Sequence, residues 1–253
     1  MRVLCQVVGI SVLLVGIQTL RSDDQDVVRA LLDKAIKAHG GEANLRKYPA
    51  LSLKGNGTIY TMGEGHPFMG AWAMQGPSQS RFAMEFKIMG ISFNAVSVLN
   101  GDKAWFSIND GLLDVGKEEL TAEKKGMYAV WVTRLFPLKE KNHSFQFAPL
   151  GEIKIGDKTA VGLKVAKRGQ PDVNLFFDKI SGLLVKSEWR VHDARVSDQE
   201  FLQENYYQEY KEVRGNQYAT KLLAHKDGKP LMEVVLSEIQ PLEKLDESIF
   251  SKP

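Results

Sequence analysis

Across 253 residues there is one cysteine, Cys5, at the start of an apolar run. A chain from which that run is removed keeps none, so disulfides are excluded and the core alone must stabilise the fold. The five histidines, at positions 39, 66, 143, 192 and 225, are scattered, and none stands three or four residues from another. G-x-S-x-G, H-E-x-x-H, a Walker loop and C-x-x-C are all missing. With them goes any sequence motif that asks for nucleophilic, zinc-hydrolase, nucleotide or redox chemistry, and no cofactor is implied. Charge of either sign is also lacking in excess: 33 Lys and Arg stand against 31 Asp and Glu. Such neutrality gives no electrostatic footprint for nucleic acid. No Pro/Gly/Ser-rich linker or charge block divides the chain, which suits one domain over residues 23–253.

Two polar groupings remain, each with a plain explanation. His192 and Asp193 resemble a base and its orienter, but neighbours on a strand point to opposite faces, and a surface pair fits better. Asp198, Glu200 and Glu204 lack the alternating ligands and glycine of a calcium loop and suit a solvated loop. Asn56-Gly57-Thr58 and Asn142-His143-Ser144 match the glycosylation sequon, which matters only in a eukaryotic secretory cell.

What is present begins with a targeting pattern over residues 1–22. Arg2 precedes an apolar run from Val3 to Ile17, broken only by Gln6 and Ser11. Its length suits a signal-peptide core and falls short of the ~20 residues of a spanning helix. Leu20-Arg21-Ser22 is the nearest match to a cleavage site, and an uncleaved N-terminal anchor is the alternative.

Asp23, Asp24 and Asp26 then open a helix, where acidic residues suit the positive end of the dipole. Val28, Leu31, Leu32, Ala35, Ile36 and His39 recur at helical spacing, and Gly40-Gly41 ends the run. From Leu51 the period changes to two. Strands are predicted at 51–60, 68–75, 80–89, 91–99 and 103–109. An amphipathic helix follows from Lys117 to Phe136, weakened at Gly126 and stopped by Pro137. Strands resume at 144–155, 160–167, 172–178, 183–191, 202–213, 218–225 and 230–239. The clearest hairpin is residues 171–191, in which Asp178 can bond its own backbone and Gly182 supplies a positive φ. The residues thus give a mainly β, α+β fold: an antiparallel sheet of 11–12 strands with an N-terminal helix and a central one.

The positive functional signal is aromatic and methionine content. Trp72, Met74, Phe82, Met84, Phe86, Trp105, Met127, Trp131 and Trp189 fall on the sheet or the central helix. Plain core accounts for any one of them. Together they also suit an apolar hollow under a helix laid across a bent sheet, which would take a greasy ligand.

Four stretches carry a resemblance: residues 35–57, the turn at 100–105, the hairpin at 176–190 and the closing residues 242–253. They resemble the LolA/LolB-type superfamily, closest to outer-membrane lipoprotein-sorting-like proteins. The resemblance implies a curved, incomplete antiparallel barrel with a helical lid, holding acyl chains in the bacterial periplasm. It implies a monomeric, non-enzymatic carrier of a lipid or lipoprotein, with donor and acceptor proteins at the inner and outer membranes as partners. The rival expectation is a structural or interaction module of the cell envelope whose hollow is filled by side chains.

Overall fold

The computed structural model describes residues 22–61, 63–140, 144–192 and 200–253. The expected leader, Asp193, Asp198 and most of the second sequon lie outside the described residues. Helix α1 spans Ser22–Ala38 and a short α2 spans Glu42–Lys47. Strands β1 (Ala50–Thr61), β2 (Glu64–Gln75), β3 (Gln79–Ile88), β4 (Ile91–Asn100), β5 (Lys103–Ile108) and β6 (Gly111–Leu113) follow as a meander. Helix α3, Lys117–Val132, interrupts it. Strands β7 (Gln146–Ile155), β8 (Lys158–Ala166), β9 (Val173–Asp178), β10 (Leu184–His192), β11 (Glu200–Val213), β12 (Asn216–Lys226) and β13 (Lys229–Leu242) complete the sheet.

All 13 strands form one antiparallel sheet in the order β6-β5-β4-β3-β2-β1-β13-β12-β11-β10-β9-β8-β7. The ends β6 and β7 do not pair, so the barrel is incomplete. Three details differ from the sequence expectation. The thirteenth strand is β6, three residues long and too short to show a period. The six-residue α2 was not expected. The central helix stops at Val132, four residues early, because Leu135 takes φ +64° and Pro137 opens a separate 3₁₀ turn at Phe136–Lys139.

The sheet curls, and α3 shows it. This helix touches both β5 and β10, which are eight strand-to-strand steps apart. A flat sheet at ~4.8 Å per step would hold them about 38 Å apart, whereas a helix of 16 residues is about 24 Å long. Shifts of register at Lys54/Gly55, Pro149/Gly151, Leu184/Lys186 and Ala224/His225 supply local bends. Helix α3 therefore bridges two arms of the curled sheet. An ion pair from Lys124 to Asp102, in the β4–β5 turn, holds it to the first arm.

The main core lies on the second arm. Val28, Leu32, Ala35 and Ile36 of α1 and Tyr128, Trp131 and Val132 of α3 pack on Leu163, Val165, Val173, Leu175, Phe177 and Leu184. The hairpin that leads into β10 is built as expected. The Asp178 carboxylate accepts from the backbone of Ile180 (3.1 Å) and Ser181 (2.6 Å), and Gly182 has φ +78°. A side chain at Gly182 would also meet Lys34 of α1, its Cβ 3.1 Å from Cγ. His39, at the end of α1, is 7 % exposed. Its Nδ1 bonds the Ala35 carbonyl (2.8 Å), and its Nε2 accepts from the Leu184 backbone N–H (3.3 Å). Burial, and secondarily the charge of Arg134, pushes its pKa down to about 4 even though the bond to Ala35 favours the proton. Histidine here is a neutral clamp between helix and sheet.

Candidate functional site: the helix-side face and its cleft

Cross-strand partners in an antiparallel sheet share a face, so the register settles which side chains look toward the helices. Trp72 lies opposite Phe82, Met74 opposite Ser80, Gly70 opposite Met84 and Phe68 opposite Phe86. Phe86 in turn lies opposite Phe93 and stacks on it at 5.4 Å. Following the ladder through β1, β13, β12, β11 and β10 brings this face round to Leu175, Ser187 and Trp189. Trp72, Met74, Phe82, Met84, Phe86 and Trp189 thus share one continuous face. Leu175 and Trp189 on it pack under the helices.

Along that face the two arms differ. On the second arm Met127 (3 % exposed), Trp131 (7 %) and Trp189 (7 %) are buried, with the Trp131 ring 6.3 Å from Phe145. On the first arm Leu53, Trp72, Met74, Phe82, Met84, Phe86, Phe93 and Phe106 are only half-buried. Glycines let two rings there lie along the strands. A Cβ on Gly70 would come within 2.5 Å of the Trp72 ring, and one on Gly57 within 3.0 Å of Phe68. The result is a broad apolar floor.

Trp105 faces the other way. It lies opposite Val98 and joins Ala50, Ala73, Val96, Val98, Leu245 and Phe250 in a separate cluster on the outer face. The C-terminal segment covers that cluster, tied down by Asn100 Nδ2 donating to the Phe250 carbonyl (3.2 Å) and the Leu245 N–H to Gln75 (2.8 Å). Its sequence neighbour Phe106 takes the helix-side place. Phe93 and Phe106 were missed by sequence reasoning. For Phe93 the signal was available, since it falls opposite Phe86 once the turn at Met89-Gly90 is fixed.

Among the described residues, two of the cavities that open on the curled sheet bear on function. One, of about 840 Å³, crosses β1–β4 and is lined by Gly55, Gly57, Phe68, Phe86 and Phe93 with Met69, Glu85 and Lys87. The other is a cleft of about 810 Å³ between the first half of α3, the β8–β9 loop and the ends of β10 and β11. Its helix side is Lys117, Glu118, Thr121, Ala122, Lys125 and Gly126, and Trp189, Arg190, Val191 and His192 line the sheet side. The same helix is thus packed core in its second half and a cleft wall in its first, with Gly126 where the two meet.

Of the polar groupings from the sequence, His192, Glu200 and Glu204 are among the described residues. His192 lines the cleft opposite Glu200. Glu204 is bonded elsewhere, to Lys186 Nζ (2.7 Å) and the Gly228 N–H (3.1 Å). Burial alone would raise the Glu204 pKa, but the bond from Lys186 outweighs it and holds the carboxyl below its usual range. No metal-holding group of His, Cys, Asp or Glu occurs among the described residues.

No protein-family model and no curated protein matches the sequence. Solved structures do match in shape. A LolA superfamily protein from Nitrosomonas europaea aligns over 89 % of this chain and 97 % of its own, with TM-score 0.51 and 13 % identity. The chain has a LolA-like fold. A putative outer-membrane lipoprotein-sorting protein domain from Vibrio parahaemolyticus aligns over 89 % and 96 %, at TM-score 0.51 and 10 % identity. A DUF1329 family protein from Desulfovibrio piger aligns over 88 % and 97 %, at 0.52 and 10 %. These identities establish the LolA-like architecture and leave function to the site itself. Among the described residues no helix is long and apolar enough to cross a membrane.

Proposed function

We propose that this chain is an exported, non-enzymatic carrier that holds the acyl chain of a lipid or lipoprotein against the helix-side face of β1–β5. The observation that carries this reading is the half-buried floor of Trp72, Phe82, Met84, Phe86, Phe93 and Phe106 inside a curled sheet bridged by α3. Each acyl methylene moved from water onto such a floor contributes ~0.8 kcal/mol, enough for one long chain to offset the entropy of association. The apolar run at 3–17 supports export, to the periplasm in a bacterial cell, and the lipoprotein-sorting neighbour supports the cargo class. A monomer exchanging cargo with donor and acceptor proteins at the two membranes is the working arrangement.

One observation favours the rival, a filled structural module: Trp131 and Trp189 are already packed as core and Met127 is buried. Native mass spectrometry of protein taken from its own envelope separates the two. Co-purifying acyl mass supports the carrier, and a bare polypeptide mass supports the module.

A further inference from the structure

A cluster of unpaired positive charge lies where the end of α2, the β11–β12 turn and the segment after α3 meet. Three cations stand there on one residue, Tyr48. Arg134 Nη2 donates to the Tyr48 carbonyl (3.0 Å), Lys47 Nζ lies 5.4 Å from the centre of the Tyr48 ring, and the Arg214 guanidinium lies 5.5 Å from the same centre. Among the described residues no carboxylate forms an ion pair with any of the three. On the neighbouring Arg46 the carboxylates of Glu42 and Glu140 are already engaged, at 2.9 and 3.0 Å.

Arg134 sets this cluster apart from a solvated basic surface. Its guanidinium also faces the Tyr218 ring, 5.8 Å away, and its Nη1 is buried with no hydrogen-bond partner. Burial pushes its pKa down from the ordinary value and the nearby Tyr218 offsets part of that, but a guanidinium keeps its proton in a protein. A charge taken out of water without a counter-charge is costly. Asn216 Oδ1, also buried without a partner beside Tyr218, is a neutral amide oxygen and leaves the charge standing. Lys47 and Arg214 are exposed and bring two more positive charges to the same tyrosine. The aromatic rings relieve part of this excess, and what remains favours an anion. A phosphate group suits three cations better than a carboxylate does: as a monoester it carries about −1.5 to −2 charges on three strong acceptor oxygens.

We propose that this corner binds a phosphate group, with Lys47 and Arg214 contacting it from the solvent side and the charge of Arg134 beneath. Free phosphate and a phosphomonoester lipid head offer the same chemistry. The site is separate from the acyl floor, since none of Lys47, Tyr48, Arg134 and Arg214 lines either cavity, and it does not depend on the carrier reading.

The test uses the full chain at low ionic strength. Inorganic phosphate is titrated and followed in ¹⁵N spectra, and phosphatidylcholine vesicles, alone or doped with phosphatidic acid, are followed by co-sedimentation. Saturable shifts of the Lys47, Tyr48 and Gly215 amides with phosphate are the result expected for a free-phosphate site; sedimentation with the doped vesicles only is the result expected for a lipid head. Lys47→Gln and Arg214→Gln should each weaken the binding ~5-fold and change the thermal midpoint little, because neither side chain has an ion pair to lose. Arg134→Gln should weaken it as well; where that variant does not fold, the two surface variants decide. Equal shifts with chloride at matched ionic strength, binding that both surface variants leave unchanged, or no response to phosphate and doped vesicles alike would each overturn the proposal and leave the three cations held by aromatic rings alone.

Discussion

The two arms of the sheet use the same sequence pattern and end in different states. In β3, Phe82, Met84 and Phe86 stand at every second position; in β9, Val173, Leu175 and Phe177 do the same, with Phe176 between the last two turned to the opposite face. The second trio is fully buried, under α1 and α3. The first remains half-buried on the same face. Alternation therefore decides which side of a strand is apolar, and the docking of a helix decides whether that side becomes core or surface. Where the helices dock is fixed by particular contacts: Lys34 Nζ donating to the Lys179 carbonyl (2.6 Å), His39 accepting from Leu184, and Arg134 donating to the Tyr48 carbonyl (3.0 Å). All three link residues more than 80 apart in sequence.

If the second arm is core, removing its large side chains should cost the most. Phe177→Ala and Trp131→Ala are expected to lower unfolding free energy by ~3–5 kcal/mol each, measured by urea denaturation. A loss below about 1 kcal/mol for Trp131→Ala would instead make that residue part of a movable lid.

The clamp between α1 and the second arm gives a pH signature. His39 titrates near 6.5 when unfolded and about 4 when folded. A lowered folded pKa means its contribution is intact above pH ~6.5 and is lost progressively as pH falls toward 4, about 3 kcal/mol in total. His39→Gln should flatten that part of the stability profile. Fluorescence-monitored denaturation between pH 4 and 7 reads both outcomes.

The first arm should respond in the opposite sense. Phe82→Ala and Met84→Ala together are expected to cost only roughly 1 kcal/mol each in stability, less than full burial would give. Acyl-chain affinity, measured by displacement of a fluorescent fatty acid, should drop about tenfold. A cost as large as that of Phe177→Ala would mean that the two arms do not differ.

The smallest effect belongs to the hairpin that sets the register of β9 and β10. Asp178→Ala removes the acceptor for the Ile180 and Ser181 N–H groups and should cost about 1 kcal/mol. Ligand binding should not change. Loss of binding in this variant would tie the register of β10 to the site.

Most of the sheet was legible in the sequence because it is built from local hairpins, in which turn residues and alternation speak within ten positions of each other. Asp178 and Gly182 show this directly. The short β6 and α2 have too few residues for any period to show. The orientation of Trp105 was not legible either: Trp105 and Phe106 are adjacent aromatics, and only a tertiary contact, the C-terminal Phe250 on the outer face, decides which one turns inward.

The central claim is that an acyl chain lies on the open arm and not within the packed one. Photocrosslinking a palmitoyl ligand that carries a diazirine along its chain, then mapping the adducts by mass spectrometry, tests it directly. Adducts are expected on β2–β4, at Trp72, Phe82, Met84, Phe86 or Phe93. Adducts confined to Met127, Trp131 and the strands β7–β9, or none above a scrambled background, would contradict it.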